Sequence, residues 1–209
     1  MRLIFVRHGL SVTNNSGRYT GQMDVPLAEK GYEEAACTAK YVLENYKVDA
    51  VYSSDSQRAH NTVKPIADAL GLPVTTTEAL REIDVGVWAG MLIETVKETY
   101  TEDHRRFKEL PDLHAPTGGE TYTQVGARAM AKLLEIVSTH HAEETVVIGT
   151  HGGTLRALFR QFLNLPSAND FPLVANASVS VVDYENGMFT VVEANVHGHL
   201  SDLKETLGE

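Results

Sequence analysis

Hydrophobic and polar positions alternate between two rhythms along this chain. Leu3-Ile4-Phe5-Val6 and, inside 145–150, Val146-Val147-Ile148 are apolar at consecutive positions, as strands buried on both faces of a parallel sheet are. Shorter strands are predicted over 49–52 and 73–77. A hairpin is predicted from 177–184 and 188–194, turning at Glu185-Asn186-Gly187. Helical spacing fills the intervals. One helix is predicted over 27–46, with Ala35, Ala39, Val42, Leu43 and Tyr46 on its buried stripe and Gly31 weakening its first turn. The next follows Ser53-Ser54, where Ser54, Asp55 or Ser56 can cap it; Val63, Ile66 and Leu70 form its stripe, and Gly71-Leu72-Pro73 stops it. Pro65 faces the carbonyl of Asn61 within that helix and predicts a kink. Residues 91–110 read as a charged helix, and 111–119 as a loop. Glu120 opens a long helix that turns Val125, Met130, Leu133, Leu134 and Val137 to the core and ends near His140-His141; a last helix covers 155–163. Strands that alternate with helices in this way predict an α/β fold.

Chemistry gathers where the apolar runs end. Arg7-His8-Gly9 leaves the carboxyl end of the first strand, the edge at which open α/β sheets bind ligands. Arginine offers a planar fork for phosphate oxygens, histidine a nitrogen nucleophile near neutral pH, and glycine a close backbone approach. By itself the tripeptide also fits a strand-end ion pair and a turn. The polar loop that follows, through Asn14-Asn15 to Thr20-Gly21, is rich in turn formers whose amides can face an anion. Thr150-His151-Gly152 repeats the layout of strand, histidine and glycine, so the two histidines should converge.

Other candidates are weaker one by one. Arg58 follows the second strand and would face the same sheet edge as Arg7; as a merely solvated first-turn arginine it would oppose the helix dipole. Glu82 lies in a loop of apolar and glycine residues near Trp88, the only tryptophan. Burial there would keep it protonated, neighbouring arginines would ionise it, and an ordinary surface glutamate is the third reading. Arg105-Arg106 read first as solvated or ion-paired and second as reading an anionic part of a substrate. His140-His141 read as an exposed helix end. His197-Gly198-His199 lacks a third metal ligand at a diagnostic spacing.

Composition narrows the partners. A chain of 209 residues, 43% hydrophobic, can bury a sizeable core and is expected to form one domain over 1–209. Its net charge of −10 argues against nucleic acid and anionic membranes as partners, so an anionic substrate needs a local basic pocket. The only cysteine, Cys37, cannot form an internal disulfide, and a reducing cytoplasm is the expected setting. The first apolar run is too short for a signal h-region or a membrane span.

Taken in order along the chain, several short motifs form one pattern: Arg7-His8-Gly9, Ser53-Ser54 through Arg58-Ala59 and Thr62, Leu80-Arg81-Glu82 with Gly86, Trp88 and Gly90, Pro116-Thr117-Gly118-Gly119-Glu120, and Thr150-His151-Gly152. This pattern resembles the histidine phosphatase superfamily, in its phosphoglycerate-mutase-like branch, from end to end. The resemblance implies a three-layer α/β/α sandwich around a mostly parallel sheet. It implies that His8 is the nucleophile, that Arg7, Arg58 and His151 clamp the phosphoryl oxygens, and that Glu82 protonates the leaving alcohol. Asn14 matches a further phosphate contact, and Thr20 and Gly21 match substrate contacts. The chain departs from the family at Leu10-Ser11, where an acidic or amide residue and Thr are common, and at Val87 and Ala89, which replace acidic residues.

The expected activity is hydrolysis of small phosphomonoesters through a phosphohistidine on His8, with neither metal nor cofactor. Mutases of the branch carry a longer insertion between the Trp88 and Pro116 loops, where this chain has only about 25 residues; a cofactor-dependent phosphoglycerate mutase, an isomerase, is the alternative. A non-enzymatic phosphate-binding or regulatory module is the other, disfavoured because binding needs no proton donor. The sequence has no D-x-D pair for an aspartyl phosphate and no arginine six residues after Cys37 for a cysteine phosphatase. A small-molecule substrate is the expected partner, and a homodimer is compatible with this reading.

Overall fold

The computed structural model describes residues 1–14, 16–201 and 203; Asn15 of the predicted polar loop lies outside them. Six strands form one sheet in the order β3-β2-β4-β1-β5-β6. β1 (Arg2–Arg7) lies at its interior, parallel to β4 (Thr145–Thr150) on one side and antiparallel to β5 (Val179–Glu185) on the other. β2 (Ala50–Ser54) and β3 (Val74–Thr77) continue the parallel part, and β6 (Met188–Val196) pairs with β5 beyond the predicted Asn186-Gly187 turn. Both turn residues have positive φ, as a two-residue hairpin requires.

The consecutive apolar residues of the central strands divide between two cores because successive strand side chains point to opposite faces. Leu3, Phe5, Val146 and Ile148 pack with Leu133 of α5 (Tyr122–Thr139) and with Leu155 and Phe159 of α6 (Gly152–Phe162). Ile4, Val6 and Val147 pack on the other face with Val42 of α1 (Glu29–Asn45) and with Val63 and Ile66 of α2 (Gln57–Leu70). The result is the expected three-layer α/β/α arrangement. A third apolar cluster, built on buried Trp88, joins Val96 of α3 (Ile93–Thr99) and Phe107 of α4 (Thr101–Glu109) to Tyr122 and Val125 of α5. Among the described residues, no helix is long and apolar enough to cross a membrane.

Several local expectations are corrected. The single helix over 91–110 is two helices, broken at Tyr100, whose φ of −116° and ψ of 41° leave the helical region. Leu70 and Leu134 are 42% and 47% exposed: Leu70 is the last residue of α2, and Leu134 sits one position past buried Leu133. Gly31 also answers a packing need at the start of α1. A Cβ there would lie 2.1 Å from the carbonyl oxygen of Leu10, so only glycine lets the helix approach the loop that follows His8. At α2 the N-cap is Ser56 without a side-chain bond, and Asp24 accepts the Gln57 N–H at 2.9 Å instead. α5 begins one residue after Thr121, which forms a reciprocal capping box with Gln124, while Glu120 lies outside the helix. His140 is not a free helix end: its ring bonds the Tyr52 hydroxyl at 3.0 Å and Glu144 at 2.6 Å. Pro65 lies inside α2 without ending it.

Candidate active site

β1 and β4 run parallel in register from Arg2 opposite Thr145 to Arg7 opposite Thr150, so the residues that leave them, His8 and His151, emerge side by side. Their ring centroids are 5.2 Å apart. The His8 backbone is pinned from both sides: its N–H donates to the Thr150 carbonyl at 2.9 Å, and its carbonyl accepts from Ala177 N–H at 3.2 Å and from the Asn176 amide at 3.0 Å.

The ring of His8 is buried, and its Nδ1 lies 2.8 Å from the carbonyl oxygen of Gly9. A carbonyl only accepts, so Nδ1 carries the proton, and the neutral ring has its lone pair on Nε2. Burial, reinforced by the charges of Arg7 and Arg58, holds the imidazole pKa well below its usual value. His151 is fully buried; its Nε2 is 2.9 Å from Ser54 Oγ, and its Nδ1 has no partner among the described residues. Burial and then Arg58 push its pKa well down as well.

Arg7, at the end of β1, donates from Nη1 to the carbonyl of Val174, and its buried Nε is unpaired among the described residues. Arg58 comes from the first turn of α2, almost fully buried, and its two terminal nitrogens donate to the carbonyls of Met23 at 2.7 Å and Gly21 at 2.9 Å. Burial lowers both guanidinium pKa values, and the carboxylate of Glu82 opposes that in each. A guanidinium stays charged throughout.

Glu82 lies beyond β3, with its carboxylate turned to the start of α6. Oε1 accepts from the N–H of Ile83 at 2.9 Å and of Thr154 at 3.2 Å, and Oε2 from that of Gly153 at 3.1 Å. The N–H groups of Gly153 and Thr154 are free first-turn donors of a helix, a natural seat for a carboxylate. The seat requires glycine, since a Cβ on Gly153 would lie 2.4 Å from Oε1. Arg128 of α5, which the sequence reading missed, holds the loop from behind. It donates to the carbonyls of Ala79, Arg81 and Glu82 at 2.8–2.9 Å and forms a paired bridge to Glu120. Burial raises the Glu120 carboxyl pKa, but Arg128 and the Asp84 N–H more than offset it.

Arg7, His8, Arg58 and Glu82 line one cavity of about 290 Å³. Asn14, Thr20 and Gly21 line it too. The Asn14 side-chain oxygen accepts from the N–H of Ser11 at 2.7 Å and its hydroxyl at 2.8 Å, and Thr20 donates to Thr13 Oγ1 at 2.8 Å. His151 is not among the lining residues, although its ring neighbours that of His8. Arg105 and Arg106 are not brought to the cavity: both are exposed, and Arg105 is paired with Glu102 and Glu109. The cations that do reach it from beyond the motifs are Lys108 and Arg156. Arg156 was within reach of the sequence, three residues after Gly153 on a helix that starts at the site, but Lys108 carries no local signal. Among the described residues no cluster of His, Cys, Asp or Glu is placed to hold a metal; His199 stacks on Tyr41 and contacts Thr38 Oγ1 at 3.1 Å.

Known proteins resemble this chain over nearly its whole length. Phosphoserine phosphatase 1 of Hydrogenobacter thermophilus is 35% identical over 204 residues, which cover 97% of this chain and 96% of that protein. A metal-independent phosphoserine phosphatase of Arabidopsis thaliana is 33% identical over 96% of this chain and 84% of its own length. Among solved structures, mycobacterial glucosyl-3-phosphoglycerate phosphatase in complex with VO3 superposes with a TM-score of 0.85 at 29% identity, covering 94% of this chain and 99% of that one. The family model of the histidine phosphatase superfamily (branch 1) matches residues 3–197, and the chain belongs to that superfamily.

Proposed function

We propose that this chain is a metal-independent phosphatase that hydrolyses small phosphomonoesters through a phosphohistidine on His8, as one catalytic domain over 1–209. The carrying observation is the fixed tautomer of His8: Nδ1–H is spent on Gly9 O, which leaves Nε2 as a lone pair beside two guanidinium groups. Nε2 attacks phosphorus, the bond to the ester oxygen breaks, and that oxygen takes its proton from Glu82, to which the entering phosphomonoester monoanion has passed its own. Arg7 and Arg58 stabilise the charge that develops on the equatorial oxygens, and the unpaired Nδ1 of His151 is the third donor to them. Glu82, now a carboxylate, takes a proton from water as the water attacks phosphohistidine, and phosphate leaves with His8 restored. Two in-line displacements retain configuration at phosphorus. Asn14, Thr20 and Gly21 bound the entering group. The cage supplies its charge through fixed donors of the protein itself. The similarity to phosphoserine phosphatases supports a small phosphorylated metabolite as substrate, and a single cysteine, Cys37, which can form no internal disulfide, supports a cytoplasmic setting.

The test is a quench experiment. Incubation with a 32P-labelled phosphomonoester should give a protein label that is lost in acid, kept in alkali and absent from His8→Ala. No label, together with no phosphate release from any ester, defeats the reading and leaves a phosphate-binding module. A mutase would interconvert phosphoglycerates, given a bisphosphate primer, faster than it releases phosphate.

A further inference from the structure

The cavity carries more positive charge than one phosphoryl group answers. Arg7 and Arg58 belong to the end at His8, whereas Lys108 and Arg156 line the same cavity beside Phe107 and Tyr122. Neither Lys108 nor Arg156 has a carboxylate partner among the described residues, and Glu82, the only acidic residue on the wall, is turned to the α6 N–H groups. In a chain of net charge −10, two unmatched cations on one cavity wall are an anion-binding feature.

The wall is also built. Tyr122 is buried, stacks on Phe107 with 25° between rings, and has the Arg156 guanidinium 5.6 Å from its ring centroid. Burial pushes the Tyr122 hydroxyl pKa up to about 12, so it keeps its proton at neutral pH. Nε of Arg156 donates to the Phe171 carbonyl at 3.2 Å and Nη2 to Asn169 Oδ1 at 3.0 Å. The guanidinium plane is thereby held, with its remaining edge toward the Tyr122 side chain. A preorganised donor loses less freedom when a ligand binds.

We propose that Arg156, Lys108 and the Tyr122 hydroxyl form a second oxyanion site, which takes the carboxylate of a phosphorylated hydroxy acid while its phosphoryl group lies at His8. The proposal rests on the hydrolase reading above. A carboxylate fits better than a second phosphoryl group, because part of the Arg156 fork is already committed and the few donors that remain suit two oxygens rather than three. The apolar faces of Phe107 and Tyr122 suit the short carbon chain between the two anions.

The experiment compares kcat/KM for 3-phosphoglycerate and glycerol 3-phosphate, which differ only in a carboxylate against a hydroxymethyl group. The wild type should prefer the carboxylate at least about tenfold, the worth of one charge-assisted hydrogen bond. Arg156→Gln and Lys108→Gln should each erase most of that ratio. Lys108 is exposed, so its variant keeps the test intact if Arg156→Gln does not fold. Equal use of both esters by the wild type, an unchanged ratio in the variants, or a stronger preference for glycerol 1,3-bisphosphate would each overturn the assignment. If no ester is hydrolysed, the hydrolase reading fails separately, and calorimetric Kd values for the same two esters decide the subsite by the same ratio.

Discussion

The rings of His8 and His151 lie 5.2 Å apart with 59° between their planes, at the ends of two adjacent parallel strands, and among the described residues no carboxylate bonds either ring. Two neutral imidazoles beside two guanidinium groups form a site charged by arginine and nucleophilic through histidine. Protonating either ring would add a cation to a buried site that already holds two.

This makes activity tolerant of mild acid. The His8 pKa is pushed well below its usual value by burial and by Arg7 and Arg58, so kcat/KM should show no inflection from His8 near pH 6.5 and should fall only in more acidic solution. Stability runs in the corresponding direction. Below about pH 6.5 the unfolded chain protonates these histidines and the folded chain does not, so each contributes a loss of about 1.4 kcal/mol per pH unit until its folded pKa is reached. Thermal melts between pH 7 and 5 should show the decline, and His151→Asn should shallow it. An unchanged slope would mean that His151 is not held neutral.

His8→Ala should reduce phosphate release by several orders of magnitude, because the phosphoryl carrier is gone. His140→Ala should leave the rate nearly unchanged while lowering the melting temperature, since His140 bonds Tyr52 and Glu144 at the far end of the sheet's strands. Equal rate losses in the two variants would misplace the nucleophile.

Gly153→Ala should act through Glu82. A methyl group 2.4 Å from Oε1 displaces the carboxylate by about an ångström, enough to lower the rate roughly a hundredfold. The loss should be largest for alkyl phosphates, whose leaving oxygen needs a proton, and smallest for p-nitrophenyl phosphate. A uniform loss over both leaving groups would argue against Glu82 as the proton donor.

Arg128→Gln should destabilise the protein by about 3 kcal/mol, because it leaves Glu120 without its cationic partner and takes one donor from each of the carbonyls of Ala79, Arg81 and Glu82. Urea denaturation measures this. The rate should also fall with little change in KM, since Arg128 holds the Glu82 loop from outside the cavity; a rise in KM alone would place Arg128 in substrate binding instead.

Dialysis against a chelator should leave the rate unchanged, since the proposed cage is made of guanidinium and imidazole groups. Loss of activity that returns with a divalent cation would defeat the metal-independent scheme.

The sequence alone determined the sheet strands, the buried character of β1 and β4 and the residues that leave them. An apolar run closed by His and Gly is a local signal, and local signals survive without coordinates. Through the resemblance to histidine phosphatases it also nominated the residues of the proposed phosphoryl site, because Arg7, His8, Arg58, Glu82 and His151 each stand in a short motif and the motifs keep one order. What only the tertiary structure decided depends on distance through space. The placement of Gly31 against Leu10 and of Gly153 against Glu82, the hold of Arg128 on a loop 46 residues earlier, and the arrival of Lys108 and Arg156 rather than Arg105 at the cavity all come from packing between elements. A break at Tyr100 turns α4 so that Phe107 and Lys108 reach the site, and nothing in the charges of 91–110 distinguishes the arginine that pairs with glutamates from the lysine that does not. Hydrophobic periodicity records which face is buried; it does not record what that face is buried against.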